Sequence, residues 1–224
     1  MCGRFTQKFE RKALQEEFFI QEFSDHIMVS YNVAPGQKAG VVINDGRNRY
    51  VQFTWGLVPS WAGDPKIGSR MINARGETVA GKPSFRDAFK KRRCIVPADG
   101  FYEWQKKDKY KVPFYIYSSS GRPFGLAGLW ERWVPKDMPQ DTTNDGKQLF
   151  TFTIVTTEAA DYLKNLHDRM PVIIPEDKRE QWLSAADDTE ELLVPYRGAD
   201  IMFHEVSRYV NSPKNNSIEC IKPV

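Results

Sequence analysis

Short apolar runs separated by glycine, proline, asparagine and aspartate dominate the pattern of this chain. Residues 39–43 and 50–55 flank Asn44-Asp45-Gly46-Arg47-Asn48, a hairpin signal built around Asp-Gly. Further strands are predicted at 94–97, 101–104, 112–117, 124–130, 150–156 and 172–174. Helical periodicity is rarer. Phe9, Ala13, Leu14 and Phe18 form a stripe that predicts a helix from Gln7 to about Gln21, with Thr6 as its N-cap. The period recurs over 158–166 and over 176–183, where Pro175 stands at or just before the first turn. Residues 135–147 are polar and unpatterned, which predicts a long exposed loop between two strands. The pattern as a whole predicts a mixed α/β (α+β) fold, one domain over 1–224, around a largely antiparallel β-sheet or barrel with flanking helices.

With 224 residues and 41% hydrophobic content the chain is long enough to bury a full core. No run approaches the ~18 apolar residues of a membrane span, and no basic segment, apolar core and cleavage site opens the chain, so neither membrane nor leader is expected. Cys2, Cys94 and Cys220 are odd in number and far apart. That spacing argues against a disulfide framework or a zinc site and for a reducing, cytoplasmic compartment. No nucleotide-loop, serine-hydrolase or zinc-protease motif is present. Net charge is only +3, but 13 Lys or Arg against 5 Asp or Glu lie between Lys66 and Lys111. Such a stretch draws phosphates.

Removal of Met1 would leave Cys2 with an α-amine and a thiol on adjacent carbons. Their unperturbed pKa values lie near ~8 and ~8.5, so modest tuning activates either. Two chemistries fit. The amine can condense with an aldehyde and the thiol close a thiazolidine, or the thiolate can attack a carbonyl with the amine as its base. Candidate helpers are few. Glu103 lies among aromatics in Ala98-Asp99-Gly100-Phe101-Tyr102-Glu103-Trp104, where alternation puts Asp99, Phe101 and Glu103 on one face; burial would raise its pKa. His167 ends a helical pattern before Asp168-Arg169-Met170-Pro171, with flanking charges able to tune it. Asn73 and Arg75 share a face if extended, an amide and a guanidinium suited to a sugar hydroxyl and a phosphate. Trp61, in a turn, either stacks on an exposed base or fills a core gap.

With these residues in hand the chain resembles the SOS-response-associated peptidase family, the abasic-site processing proteins. The matching blocks are Met1 to Phe5, Tyr31-Asn32-Val33-Ala34-Pro35-Gly36, Trp55 to Pro59, Ile72 to Thr78, Cys94 to Trp104, Ile154 to Thr157, His167 to Pro171, and Val206-Ser207 with Asn211. They run in family order over nearly the whole length. The resemblance implies that Cys2, once terminal, forms a thiazolidine with the opened aldehyde of an abasic site in single-stranded DNA, shielding the lesion. It implies that Asn73 orients the sugar, Glu103 moves protons, and His167 assists ring opening and reversal. Arg4 and Arg75 would grip phosphates, with Asn32, Pro35, Trp61 and Thr156 along the DNA path. Autoproteolytic release of Met1 and abasic-site lyase activity are implied too, without metal or other cofactor, in a monomer associated with the nucleoid when on DNA. One departure is visible: relatives often carry a second aromatic after the one matching Trp61, where Ala62 begins a Gly-Asp-Pro turn.

Two rivals differ in kind. Glutamine amidotransferase domains also begin Met-Cys-Gly, but their Arg-Gly-Pro-Asp and glutamine-holding turns are absent. A non-covalent single-stranded DNA-binding module explains the basic stretch but leaves Glu103 and His167 unemployed.

Overall fold

The computed structural model describes residues 2–108, 110–135, 148–184 and 189–224. Its first strands are β1 (Arg4–Gln7), β2 (Glu22–Phe23), β3 (Ser30–Val33), β4 (Lys38–Asn44), β5 (Asn48–Trp55) and β6 (Asn73–Arg75). After these come β7 (Arg93–Ala98), β8 (Gly100–Lys107), β9 (Tyr110–Ser118), β10 (Phe124–Trp133), β11 (Leu149–Glu158), β12 (Arg169–Pro171) and β13 (Ile201–Glu205). Among the described residues, four short α-helices interrupt them: α1 (Arg11–Phe18), α2 (Gly76–Val79), α3 (Arg86–Lys91) and α4 (Arg179–Leu183).

Strands β5, β4, β7, β10 and β11 pair antiparallel in that order. A parallel pairing of β11 with β5, Thr151 beside Thr54 and Phe152 beside Trp55, then closes a five-stranded barrel. Alternation sends Val41, Ile43, Val51, Phe53, Trp55, Cys94, Val96, Leu126, Phe152 and Ile154 into one core cluster. The intervening Val42, Tyr50, Ile95, Ala127, Leu129 and Val155 pack against a second cluster that includes Leu14 and Phe18 of α1, Val79 of α2, Phe89 of α3 and Trp182 of α4. Both strand faces are therefore buried, which is why residues 39–43 and 94–97 read as continuous apolar runs. The mixed α/β barrel with flanking helices is the architecture expected from the sequence.

A second sheet, ordered β13-β9-β8-β1-β3, contributes Phe5, Val33, Phe101 and Ile116 to the barrel's core cluster. The chain crosses from barrel to second sheet in one residue, Asp99, between β7 and β8. Gly100 is required just after that corner: a Cβ there would lie 2.5 Å from the Ile116 carbonyl oxygen.

Several sequence expectations shift. The hairpin turn forms as predicted, with Gly46 at φ +103. The first helix begins at Arg11, not Gln7, and its N-cap is Glu10. Thr6 is a buried strand residue whose hydroxyl contacts the Gly100 carbonyl and Tyr115. Pairing on both sides claims residues 4–7 for the sheet, and this outweighs local helical preference. Phe101 and Glu103 share a face of β8, but Asp99 turns away at the corner and pairs with Lys8. The helix expected over 158–166 is a 3₁₀ turn, Asp161–Leu163, because residue 158 still belongs to β11. The strand expected at 172–174 is Arg169–Pro171, with Ile173 adding a single bridge to Leu126. The loop expected at 135–147 lies, from 136 onward, outside the described residues.

Phe152 is fully buried and stacks on Trp55 with ring centroids 6.3 Å apart, at the pairing that closes the barrel. Phe152→Ala is expected to cost about 3–5 kcal/mol of stability, read from the urea midpoint; a loss under ~1 kcal/mol would contradict the closed core.

Candidate active site

The start of the chain, ordinarily the loosest part of a domain, is pinned on both sides. Antiparallel pairing sets Arg4 beside Tyr102 and Phe5 beside Phe101 on β8, and Phe5 beside Val33 on β3. The Phe5 ring meets Trp55 edge-on at 5.0 Å. Cys2 is consequently held two residues ahead of the strand and fully buried. The Asn73 side chain donates from Nδ2 to the Cys2 carbonyl at 2.9 Å. Asn73 owes its position to β6, which pairs in parallel with β11, Ile154 beside Asn73. Trp55 braces the preceding residue by donating to the Ile72 carbonyl at 2.9 Å. The other amide atom, Asn73 Oδ1, is buried and accepts no hydrogen bond among the described residues. Leaving such an acceptor unsatisfied costs stability.

Glu103 is 3% exposed. Burial pushes its carboxyl up to about 8, with the charge of Asp168 acting in the same direction. Cys2 follows the same logic: burial, then the negative charge of Glu103, pushes the thiol well above its usual range. It is therefore a neutral thiol at neutral pH. His167 closes the 3₁₀ turn by donating its backbone N–H to the Leu163 carbonyl at 3.0 Å. Burial depresses its imidazole, while Asp168, with Oδ1 2.7 Å from Nδ1, opposes that shift. The amino-terminal charge also acts on all three groups. Cys2, Asn73, Glu103 and His167, far apart in sequence, thus converge.

The remaining predicted residues divide into two sets. Pro35, Trp61 and Arg75 are exposed. Trp61 is 53% exposed and steadied by a long Nε1 hydrogen bond to the Pro83 carbonyl at 3.4 Å. Arg75 makes no ion pair or hydrogen bond from its guanidinium among the described residues. Arg4, Asn32 and Thr156 are turned inward. Arg4 donates to Asn32 Oδ1 at 2.7 Å and to the carbonyls of Val210 and Asn211 at 2.8 and 3.0 Å. Asn32 donates to the carbonyls of Val210, Ser212 and Asn215. Together these two side chains clasp the C-terminal segment. Thr156 is buried and pairs beside Arg75 in the β11–β6 register, its hydroxyl between the Ala74 carbonyl and the Arg169 guanidinium.

The basic run 90–93 is likewise split. Lys90 and Lys91 are exposed, whereas Arg92 pairs with Glu131 at 2.7 Å and Arg93 is buried against the carbonyls of Phe89, Trp182 and Ser184. Sequence reasoning missed one support. Arg169 grips Glu77 of α2 with two hydrogen bonds, at 2.5 and 3.0 Å, and donates to the Thr156 carbonyl at 2.6 Å. This ties the His167 loop to the end of β6. No spacing signal links residues 92 positions apart. Among the described residues, no group of three His, Cys, Asp or Glu side chains is placed to hold a metal ion, and no helix is long and apolar enough to cross a membrane.

Residues 1–213 match the model of the SOS response associated peptidase (SRAP) family, and the chain belongs to that family. It is 44% identical to abasic site processing protein YoaM of Bacillus subtilis, over 99% of this chain and 97% of that one. It is 30% identical to abasic site processing protein HMCES of Xenopus tropicalis, over 90% of this chain and 68% of that protein. A crystal structure of a Bacteroides thetaiotaomicron protein superposes with a TM-score of 0.83 at 26% identity, covering 98% of this chain and 99% of that one.

The raised Glu103 carboxyl has a consequence for stability. Below its ordinary value of 4.5 both folded and unfolded states hold the proton; between there and about 8 only the folded state does, so stability falls as pH rises through that window. Glu103→Gln, which cannot ionise, should gain stability over the wild type by up to a few kcal/mol between pH 5 and pH 9. Parallel denaturation profiles at the two pH values would show that the carboxyl is not desolvated.

Proposed function

We propose that this chain processes abasic sites in DNA by forming a covalent thiazolidine through Cys2 after Met1 is released. The observation that carries the reading is the Cys2–Asn73 contact, with Oδ1 left without a partner among the described residues. A buried acceptor next to the only residue able to present a vicinal aminothiol suits a sugar hydroxyl, which would repay its desolvation. The names of the relatives, abasic site processing proteins, agree with that substrate.

The chemistry runs in an order set by the protonation states. The neutral thiol is a poor opening nucleophile, so the α-amine attacks the opened sugar aldehyde first and gives a carbinolamine. Glu103, protonated below about 8, donates a proton to the departing hydroxyl, water leaves, and the nitrogen's proton returns to the carboxylate as the imine forms. The thiol sulfur then adds to the imine carbon, its proton passing to nitrogen. Aldehyde and aminothiol thus become thiazolidine and one water. Ring closure is intramolecular, for which effective molarities of roughly 10⁵ M or more are attainable. His167 moves the proton for sugar-ring opening and for reversal. Exposed Pro35, Trp61 and Arg75 supply a stacking surface and a phosphate contact for single-stranded DNA. Release of Met1 and an abasic-site lyase step belong to the same reading. The neutral thiol also disfavours the amidohydrolase alternative, whose first step is thiolate attack.

Single-stranded DNA with one abasic site should give a band that survives denaturing electrophoresis. Cys2→Ala should bind the DNA yet give no such band, and Glu103→Gln should slow its appearance by about 10²-fold. Ammonia release from glutamine without an adduct would overturn the reading in favour of amide hydrolysis. Non-covalent binding should weaken steeply with salt, and Arg75→Ala should lower the slope of log affinity against log salt by about 1; an unchanged slope would remove Arg75 from the phosphate contacts.

A further inference from the structure

The imidazole of His167 carries two partners on one atom that cannot both be satisfied. Nδ1 lies 3.0 Å from the backbone N–H of Arg169, a donor that requires a lone pair on Nδ1. The same Nδ1 lies 2.7 Å from Asp168 Oδ1, an acceptor that requires a proton on Nδ1. These contacts select different forms of the ring. When the Arg169 amide donates, a neutral ring holds its proton on Nε2 and is only a hydrogen-bond donor there. When Nδ1–H donates to Asp168, Nε2 is the atom that gains and loses the proton, giving one when the ring is cationic and taking one when it is neutral.

We infer that Asp168 is a positioning residue that selects the Nδ1-protonated form of His167, in competition with the Arg169 amide, and so switches Nε2 into proton-transfer service. This rests on the proton-moving role proposed for His167. The proton balance is simple: Nδ1–H stays with Asp168 throughout, and one proton moves between Nε2 and the sugar oxygen in each direction. Asp168 meets the ring from the solvent side: its side chain is 86% exposed while the ring is only 30% exposed. Its backbone carbonyl independently accepts from Ala159 N–H at 2.9 Å, so side-chain replacement leaves the loop anchored. The charges acting on the ring are Asp168, Lys111 of β9 and the amino terminus; of these only Asp168 favours the imidazolium. Asp168 also raises Glu103.

The test is ¹⁵N NMR of the His167 ring in the full chain, in wild type, Asp168→Ala and Asp168→Glu. Asp168→Ala should move the neutral ring from the Nδ1–H to the Nε2–H tautomer and lower its titration midpoint, since a negative neighbour is lost. Adduct formation on single-stranded DNA with an abasic site should slow by about 10²-fold, and Asp168→Glu should restore both tautomer and rate. Unchanged tautomer populations in Asp168→Ala, or an unchanged rate despite a changed tautomer, would overturn the assignment. If the wild type made no adduct, the abasic-site reading would fail, while the ring's tautomer would still decide what Asp168 does.

Discussion

Everything at the site depends on the pairing of β1 between β8 and β3. Two ladders of backbone hydrogen bonds and the Phe5 ring against Trp55 hold the first residues of the chain in a fixed register. Without them Cys2 would sample many positions, and the entropy lost on placing it would fall on any chemistry it takes part in. With them the ordering is completed during folding. Asn73 adds the last restraint by taking the Cys2 carbonyl, and β11 holds Asn73 by pairing with β6.

Burial shapes the chemistry as strongly as position does. Desolvation keeps a thiol neutral, brings a carboxyl to the edge of ionisation near neutral pH and depresses an imidazole. Each shift is unfavourable for the charged form, and an amide oxygen left unsatisfied adds to the cost. A core designed only for stability would contain none of these. The barrel supplies the compensation, since its strands bury apolar side chains on both faces.

The barrel strands were largely legible in sequence because their apolar runs and the Asp-Gly turn are local signals. The first helix was misplaced at its start because Thr6 and Gln7 look helical locally, and only distant strands claim them. Very short elements such as β2 and β6 leave no periodicity to detect. At the site, Cys2, Glu103 and His167 could be singled out by residue type, and Asn73 by its neighbourhood with Arg75. Their convergence could not, since it is set by the order of strands around the barrel. The inward turn of Arg4 and Asn32 was also hidden: a guanidinium near the chain start reads as a phosphate ligand, yet its three acceptors all lie on other segments.

That clasp joins segments far apart along the chain. Arg4 and Asn32 hold carbonyls from Val210 to Asn215, and Trp104 donates to the Asn211 side chain. On a ribosome the segment that carries Cys2 is made long before residues 210–215, the segment it is fastened to. The nascent chain therefore passes through most of its synthesis with this clasp unmade, and it can close only once residues 210–215 have left the ribosome.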